Sequence, residues 1–222
     1  SPPLRARFAV LGERGVARIA LVTFAASFTS IGAYTYISAL LRNTDGATST
    51  AAYLWVWGVG AMVGCLGIGF VIDVWRDTRM LQTVILTMLA LVLLTFPVLG
   101  RSFVGALAGL FVWGAAGWSS LAPQQHRLLA LTTKHGTVAV ALNSSALYLG
   151  SSAGSTLGGV LVEAHGAVLE CLVLGAVAAL FALVNRFATP GPKMGEAPGR
   201  WGRSAGSLKD PAVGGSAGGP GR

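Results

Sequence analysis

Long apolar stretches alternate with short polar or charged breaks along the chain, and the breaks set the elements. Mainly apolar runs cover residues 16–41, 52–72, 80–99, 103–123, 137–162 and 168–187. A helix needs about 20 mostly apolar residues, at 1.5 Å rise each, to cross the hydrocarbon core of a bilayer. The pattern therefore predicts an all-α membrane protein with six transmembrane helices. The connections, 42–51, 73–79, 100–102, 124–136 and 163–167, are short, so consecutive helices run antiparallel. Residues 1–15 read as a leading segment. Residues 188–222 turn to Pro, Gly, Ser and Ala with scattered Lys and Arg, lack apolar periodicity, and predict a disordered tail.

Within the runs, small and hydroxyl residues fall on particular faces. Thr23, Ser27, Ser30, Tyr34 and Ser38 recur every three or four positions, which is one face of a helix. Hydrocarbon offers such a stripe no hydrogen-bond partner, so it faces protein or water. The hydroxyls then either bond their own helix and neighbours or line a pathway. Gly150, Gly154 and Gly158 repeat every four residues and let another backbone approach closely. The second and fourth runs are also Gly-rich. The third has no Gly and the sixth only Gly175, which suits lipid contact, so the other four are expected to surround any pathway. Asn143 in the fifth run is either an interhelical lock or a substrate ligand. Trp118 either packs or forms an aromatic wall. Tyr53, Trp55 and Trp57 open the second run as an interfacial belt.

Composition agrees with lipid as the main solvent. Of 222 residues, 53% are hydrophobic and only 11% charged, well under the roughly 25% usual in soluble domains, and the mean hydropathy is +0.66. The net charge of +8 would suggest a nucleic-acid partner in a soluble protein. Here its distribution explains it. Arg42 and Arg101 lie on one side of a six-helix layout, and the other 14 of the 16 Lys and Arg lie on the opposite side. By the positive-inside rule both termini are cytoplasmic, and no nucleic acid is called for. The run at 16–41 is too long for a signal-peptide core, and five more follow. The chain begins Ser1-Pro2-Pro3 without an initiator Met, which reads as a fragment or a processed start.

Chemistry-bearing motifs are scarce. Cys65 and Cys171 sit apart in apolar runs, away from any metal-like spacing. There is no HExxH, Gly-x-Ser-x-Gly or P-loop pattern. No charged residue lies near the middle of a run, although Glu170 stands near the start of the last. The reading is of a non-enzyme with no catalytic residues, cofactor or metal.

Several stretches resemble transporters of the major facilitator superfamily, most closely the bacterial drug:proton antiporters and arabinose-efflux-permease-like proteins. FTSIGAYTYISALLRNTDG and WVWGVGAMVGCLGIGFVIDVWRDTR resemble that family's seventh and eighth helices. WGAAGWSSLAPQQHRLLAL resembles the tenth with its following loop, and LNSSALYLGSSAGSTLGGVL the eleventh. Gly69, Asp73, Arg76 and Arg79 resemble the superfamily's loop signature, which normally continues Asp-Arg-x-Gly-Arg-Arg; here the central Arg and Gly are replaced. In that pattern Asp73 would latch one side, or serve only as a charged turn that sets topology.

The resemblance implies the carboxyl-terminal six-helix half of a twelve-helix fold, set in the cell (inner or plasma) membrane with substrate at the interface of the halves. The partners implied are the lipid bilayer, a small organic substrate, an amino-terminal half or a second copy, and a proton coupled through that other half. Ser27, Ser30, Tyr34, Trp118 and Asn143 are the expected substrate contacts, with Gly150, Gly154 and Gly158 as packing positions. Proton-coupled efflux is the leading expectation. An uptake permease of the same fold, or a non-transporting scaffold or remnant, is the alternative.

Overall fold

A computed structural model describes residues 14–44, 49–75, 77–131 and 136–187. The leading segment through residue 13, the tail from 188 and Arg76 of the loop signature lie outside the described residues. The described chain is a helical bundle. Helix α1 covers Arg14–Thr35, the short α2 Ile37–Leu40 leads into a 3-10 turn, and α3 covers Thr50–Val74. Then come α4 (Thr78–Leu99), α5 (Phe103–Ser119), α6 (Leu121–Leu131), α7 (Gly136–His165) and α8 (Ala167–Phe187).

Three of the boundaries show why the helices stop where they do. Asp77 caps α4, its carboxylate accepting from the N–H groups of Arg79 and Met80 at 3.0 Å each. Ser102 caps α5 through the N–H of Gly105 at 3.1 Å. Gly166, at φ 88°, makes the tight turn between α7 and α8, a backbone conformation that a side chain would strain.

Two features depart from the sequence expectation. The first apolar run is not one helix. At Tyr36 the regular ladder lapses, and its N–H bonds to Ala33 at 3.2 Å. The fourth run does not end at Pro123. After a turn at Ser120 the chain continues as α6 to Leu131, with Pro123 in its first turn, where a missing N–H costs nothing. The connection expected at 124–136 is therefore mostly helical.

Among the described residues five helical stretches are long and apolar enough to cross a membrane: Gly15–Thr35, Thr50–Val74, Thr78–Leu99, Phe103–Leu131 and Ala167–Phe187. The expected sixth, α7, has 30 residues, but its Ser, Thr, Asn and Gly dilute its apolar character. It nevertheless lies against the full length of α1.

The bundle consists of three tight helix pairs. In α1–α7 the two helices run parallel. Gly150 and Gly154 rest against the backbone of Phe24 and Phe28, and Gly32 against Gly154. In α3–α5, also parallel, Gly60 meets Phe111, Gly64 meets Ala115 and Gly114 meets Trp57. In α4–α8 the helices run antiparallel, with Gly175 against Leu94. Between them lies a core of Leu89, Leu93, Phe96, Leu110, Trp113 and Leu174. The Gly-free α4, expected on the lipid side, is half buried against α5, α6 and α8. The least buried span is α3, at 22% against 67% for α1. Its open face carries Trp55, Met62, Leu66 and Phe70.

Two contacts define the ends. At one end Thr44 Oγ1 donates to Gly100 O at 2.6 Å, joining the α2–α3 and α4–α5 connections; this is the far end. At the other, the terminal end, Arg79 donates to the last carbonyls of α8, from Nε to Asn185 at 2.8 Å and from Nη2 to Arg186 at 2.8 Å. A cation there complements the negative end of the helix dipole. Asn185 Nδ2 returns bonds to Arg79 O at 3.2 Å and Thr83 Oγ1 at 2.9 Å.

Candidate functional site

The hydroxyls of α1 divide by role. Thr29 and Thr35, which lie off the stripe, donate back to their own helix, to Ala25 at 2.9 Å and Ile31 at 2.8 Å. Ser30 instead accepts the indole N–H of the fully buried Trp113 at 3.2 Å, tying α1 to α5. Gly117 leaves room for the Ser30 hydroxyl. Next to this contact is a cavity of about 60 Å³, lined by Thr23, Ser27, Ser30 and Ile31 of α1, Gly117 and Trp118 of α5, and Ser120, Leu121 and Leu147. It has room for a few waters and is far smaller than a drug-sized site at about 300–1,000 Å³.

An aromatic group flanks the cavity. Tyr34 stacks on Trp57 with ring centroids 4.1 Å apart and planes at 30°. Trp57 meets Trp118 edge-on at 6.5 Å and 73°. The three rings come from α1, α3 and α5. Trp118 remains 40% exposed, so its face is open outside the bundle. No charged side chain lines the cavity.

Trp57 corrects the sequence reading, which placed it with Tyr53 and Trp55 in an interfacial belt. Trp55 is 75% exposed, whereas Tyr53 and Trp57 are buried. Positions 53, 57, 60 and 64 share one helix face, so the phase of the glycines could have identified Trp57 as inward.

Asn143 is buried at 3% exposure, but it is not among the residues lining the cavity. It lies one turn beyond Ala139, which packs with Val16, Ile19 and Leu128, and its side-chain oxygen has no partner among the described residues. The Ser144, Ser145 and Ser151 hydroxyls of α7 donate to carbonyls four residues back in the same helix.

A second polar group sits below the cavity. Gln82 on α4, fully buried, donates to Ser120 Oγ at 2.6 Å. Gln124 on α6, also fully buried, accepts from Arg127 at 3.4 Å. Arg127 is within electrostatic reach of Arg79, Asp77 and Arg18. Sequence reading singled out none of these glutamines; their positions among apolar residues on inward faces were the available signal.

Of the loop signature, Gly69 and Asp73 are exposed, and no neighbouring group crowds Gly69. Asp77, not Asp73, meets helix N–H groups, and Arg79 serves the α8 terminus. Of the three packing glycines, Gly150 and Gly154 contact α1, while Gly158 lies against Glu170 and Tyr36. No group of His, Cys, Asp and Glu suited to a metal occurs among the described residues.

The chain is similar to transporters. It is 28% identical over 193 residues to the inner membrane transport protein YdhP of Escherichia coli K12, covering 84% of this chain and 48% of that protein. It is 27% identical over 185 residues to YbcL of Bacillus subtilis, an MFS-type transporter, covering 82% of this chain and 47% of the relative. A third relative, the MFS-type transporter YfhI of Bacillus subtilis, is 25% identical, with 79% and 46% covered. The chain thus spans about half the length of the curated relatives it matches. No protein-family model matches it, and no solved structure matches it significantly. These relatives uphold the resemblance to major facilitator transporters read from the sequence. The helical bundle agrees with one half of such a fold.

Proposed function

We propose that this chain is the carboxyl-terminal half of a membrane carrier that exports small amphipathic organic molecules in exchange for protons. The observation that supports it best is the neutral, mixed aromatic and hydroxyl surface formed by Ser27, Ser30 and Trp118, backed by Trp57 and Tyr34. Aromatic faces attract organic cations, and no fixed positive charge lines the cavity to oppose them. The cavity alone is too small for a ligand. It serves as one wall, and the complementary half supplies the other, with proton coupling through that half. Asn143 contributes from deeper on α7, toward the terminal end.

The test is uptake of a lipophilic cation, tetraphenylphosphonium, into inverted vesicles containing the carrier with both halves. An inward-acid pH gradient should drive uptake above that of empty vesicles, and a protonophore should abolish it. Trp118→Ala and Tyr34→Phe should change the ranking of competing substrates at equal expression. Uptake no greater than in empty vesicles, across neutral and cationic probes, would overturn the reading. Variants that merely lower folded yield while the surviving protein keeps its substrate ranking would remove these residues from the site.

A further inference from the structure

Glu170 is the acidic residue of the last helix, and it is wholly buried at 0% exposure. Neither carboxyl oxygen has a hydrogen-bond partner among the described residues. Gly158 on α7 lies close by; a Cβ added there would come within 2.9 Å of Glu170 Oε1. The same Cβ would meet the ring edge of Tyr36 at 3.0 Å, so the carboxyl and the phenol ring converge on one point above Gly158. Tyr36 sits at the break between α1 and α2, and its hydroxyl donates to Ser155 O on α7 at 3.0 Å. Tyr36 also lines an open groove with Tyr148, Ser151, Ser152, Ser155 and Thr156, while Glu170 is not among the lining residues.

We propose that Glu170 is a proton-exchange site at the far end of the bundle, separated from the Tyr148–Ser155 groove by the ring of Tyr36. A bare carboxylate without a partner in an apolar interior is too costly to persist, and an ionisable group within a membrane helix marks a proton or ion route. The closed arrangement therefore holds the neutral acid. Exchange requires the Tyr36 ring to swing aside, which the irregular backbone at the α1–α2 break permits. Glu170 stands in the first turn of α8, near the positive end of that helix, but neither a hydrogen-bond donor nor a buried cation accompanies it among the described residues. Cys171, its neighbour on α8, donates its thiol to Leu93 O at 3.1 Å. Across from it, α4 presents no charged group at this end. On α7 and the connections, Glu163, His165, Arg42 and Arg101 are all exposed. Asp45 lies outside the described residues.

The proposal does not depend on the substrate or direction of transport, and its test needs no transport. A hydrophobic carbodiimide reacts with a carboxyl that bears its proton. With the full chain in lipid nanodiscs, peptide mass spectrometry should find Glu170 modified near neutral pH while the exposed Glu163 is not. Modification should fall about tenfold per pH unit once the site titrates. Glu170→Gln should remove the signal, and an infrared band for a protonated carboxyl should vanish with it. Tyr36→Ala should open the site to a water-soluble carbodiimide that leaves the parent protein unmodified. Tyr36→Phe, which keeps the ring, tests whether the Ser155 bond alone holds the gate and should give intermediate access. Equal modification of Glu170 and Glu163 at every pH, or no carboxyl band lost in Glu170→Gln, would overturn the proposal. Protection by sodium at fixed pH would also overturn it, in favour of a metal cation.

Discussion

Trp57 of α3 lies nearly face to face with Tyr34 of α1, ring centroids 4.1 Å apart, and these two rings link helix pairs that otherwise share little surface. Each ring also touches a functional element. Trp57 backs Trp118, and Tyr34 lies two residues before the Tyr36 break.

Removing this stack has a graded outcome. Trp57→Ala loses a ring pair worth about 0.5–1.5 kcal/mol beyond its area and leaves Trp118 unsupported. It should lower the thermal unfolding midpoint in detergent. Trp57→Phe should recover most of the loss, and Trp55→Ala, at an exposed position, should change little. A Trp55→Ala protein as unstable as Trp57→Ala would reverse the inward assignment of position 57.

The parallel α1–α7 seam sets a second expectation. A Cβ at Gly154 would collide with the Phe28 carbonyl, and neither backbone can yield easily. Gly154→Val should therefore sharply reduce monodisperse protein in fluorescence-detected size exclusion. Gly58→Ala and Gly67→Ala, which meet open space, should leave the profile unchanged. Equal behaviour of all three would mean the seam is looser than described.

Arg79 and Asn185 form a reciprocal clamp at the terminal end. Each side chain bonds the other residue's backbone carbonyl, which the partner's substitution leaves in place, so Arg79→Lys and Asn185→Ala, read by reversible unfolding, should each cost about 0.6 kcal/mol per bond lost, the usual size for polar contacts between membrane helices, and the two losses should add. Lysine keeps the charge but lacks the two-pronged donor geometry, so charge alone should not rescue it. Unchanged stability in both variants would dissolve the clamp.

Topology can be read directly. The 14-to-2 division of Lys and Arg predicts both termini on the cytoplasmic side. An alkaline phosphatase reporter should be active when fused within 42–51 and inactive when fused after Phe187. Activity of the tail fusion would sink the six-span layout.

Helix positions were largely legible in the sequence because charged turns punctuate apolar runs. The run at 52–72 falls inside Thr50–Val74, 80–99 inside Thr78–Leu99, and 168–187 inside Ala167–Phe187. The break at Tyr36 was not legible, since neither Gly nor Pro marks it. Pro123 misled in the opposite sense: it begins a helix here, and a proline reads alike at the end of one helix and the first turn of the next. The cavity was legible in part. Ser27, Ser30 and Trp118 do line one cavity, because periodicity assigns residues to faces. Asn143 and Trp57 needed knowledge of which faces meet, and that depends on packing between helices far apart in sequence.

The glycine seams have a mechanical consequence. Where Gly150 and Gly154 meet α1, and Gly60, Gly64 and Gly114 join α3 to α5, backbone rests on backbone with little side-chain layer between, so each pair is expected to move as a stiff beam. The cavity lies chiefly where the first beam meets the second, and the joint there carries the Trp113–Ser30 hydrogen bond, the Tyr34–Trp57 ring stack and the apolar packing of Ala33 and Ile37 in the core with Trp57 and Trp113. Deformation of this bundle therefore concentrates at that joint. The angle between the beams sets its aperture, and the polar and aromatic contacts of the joint help to set its stiffness.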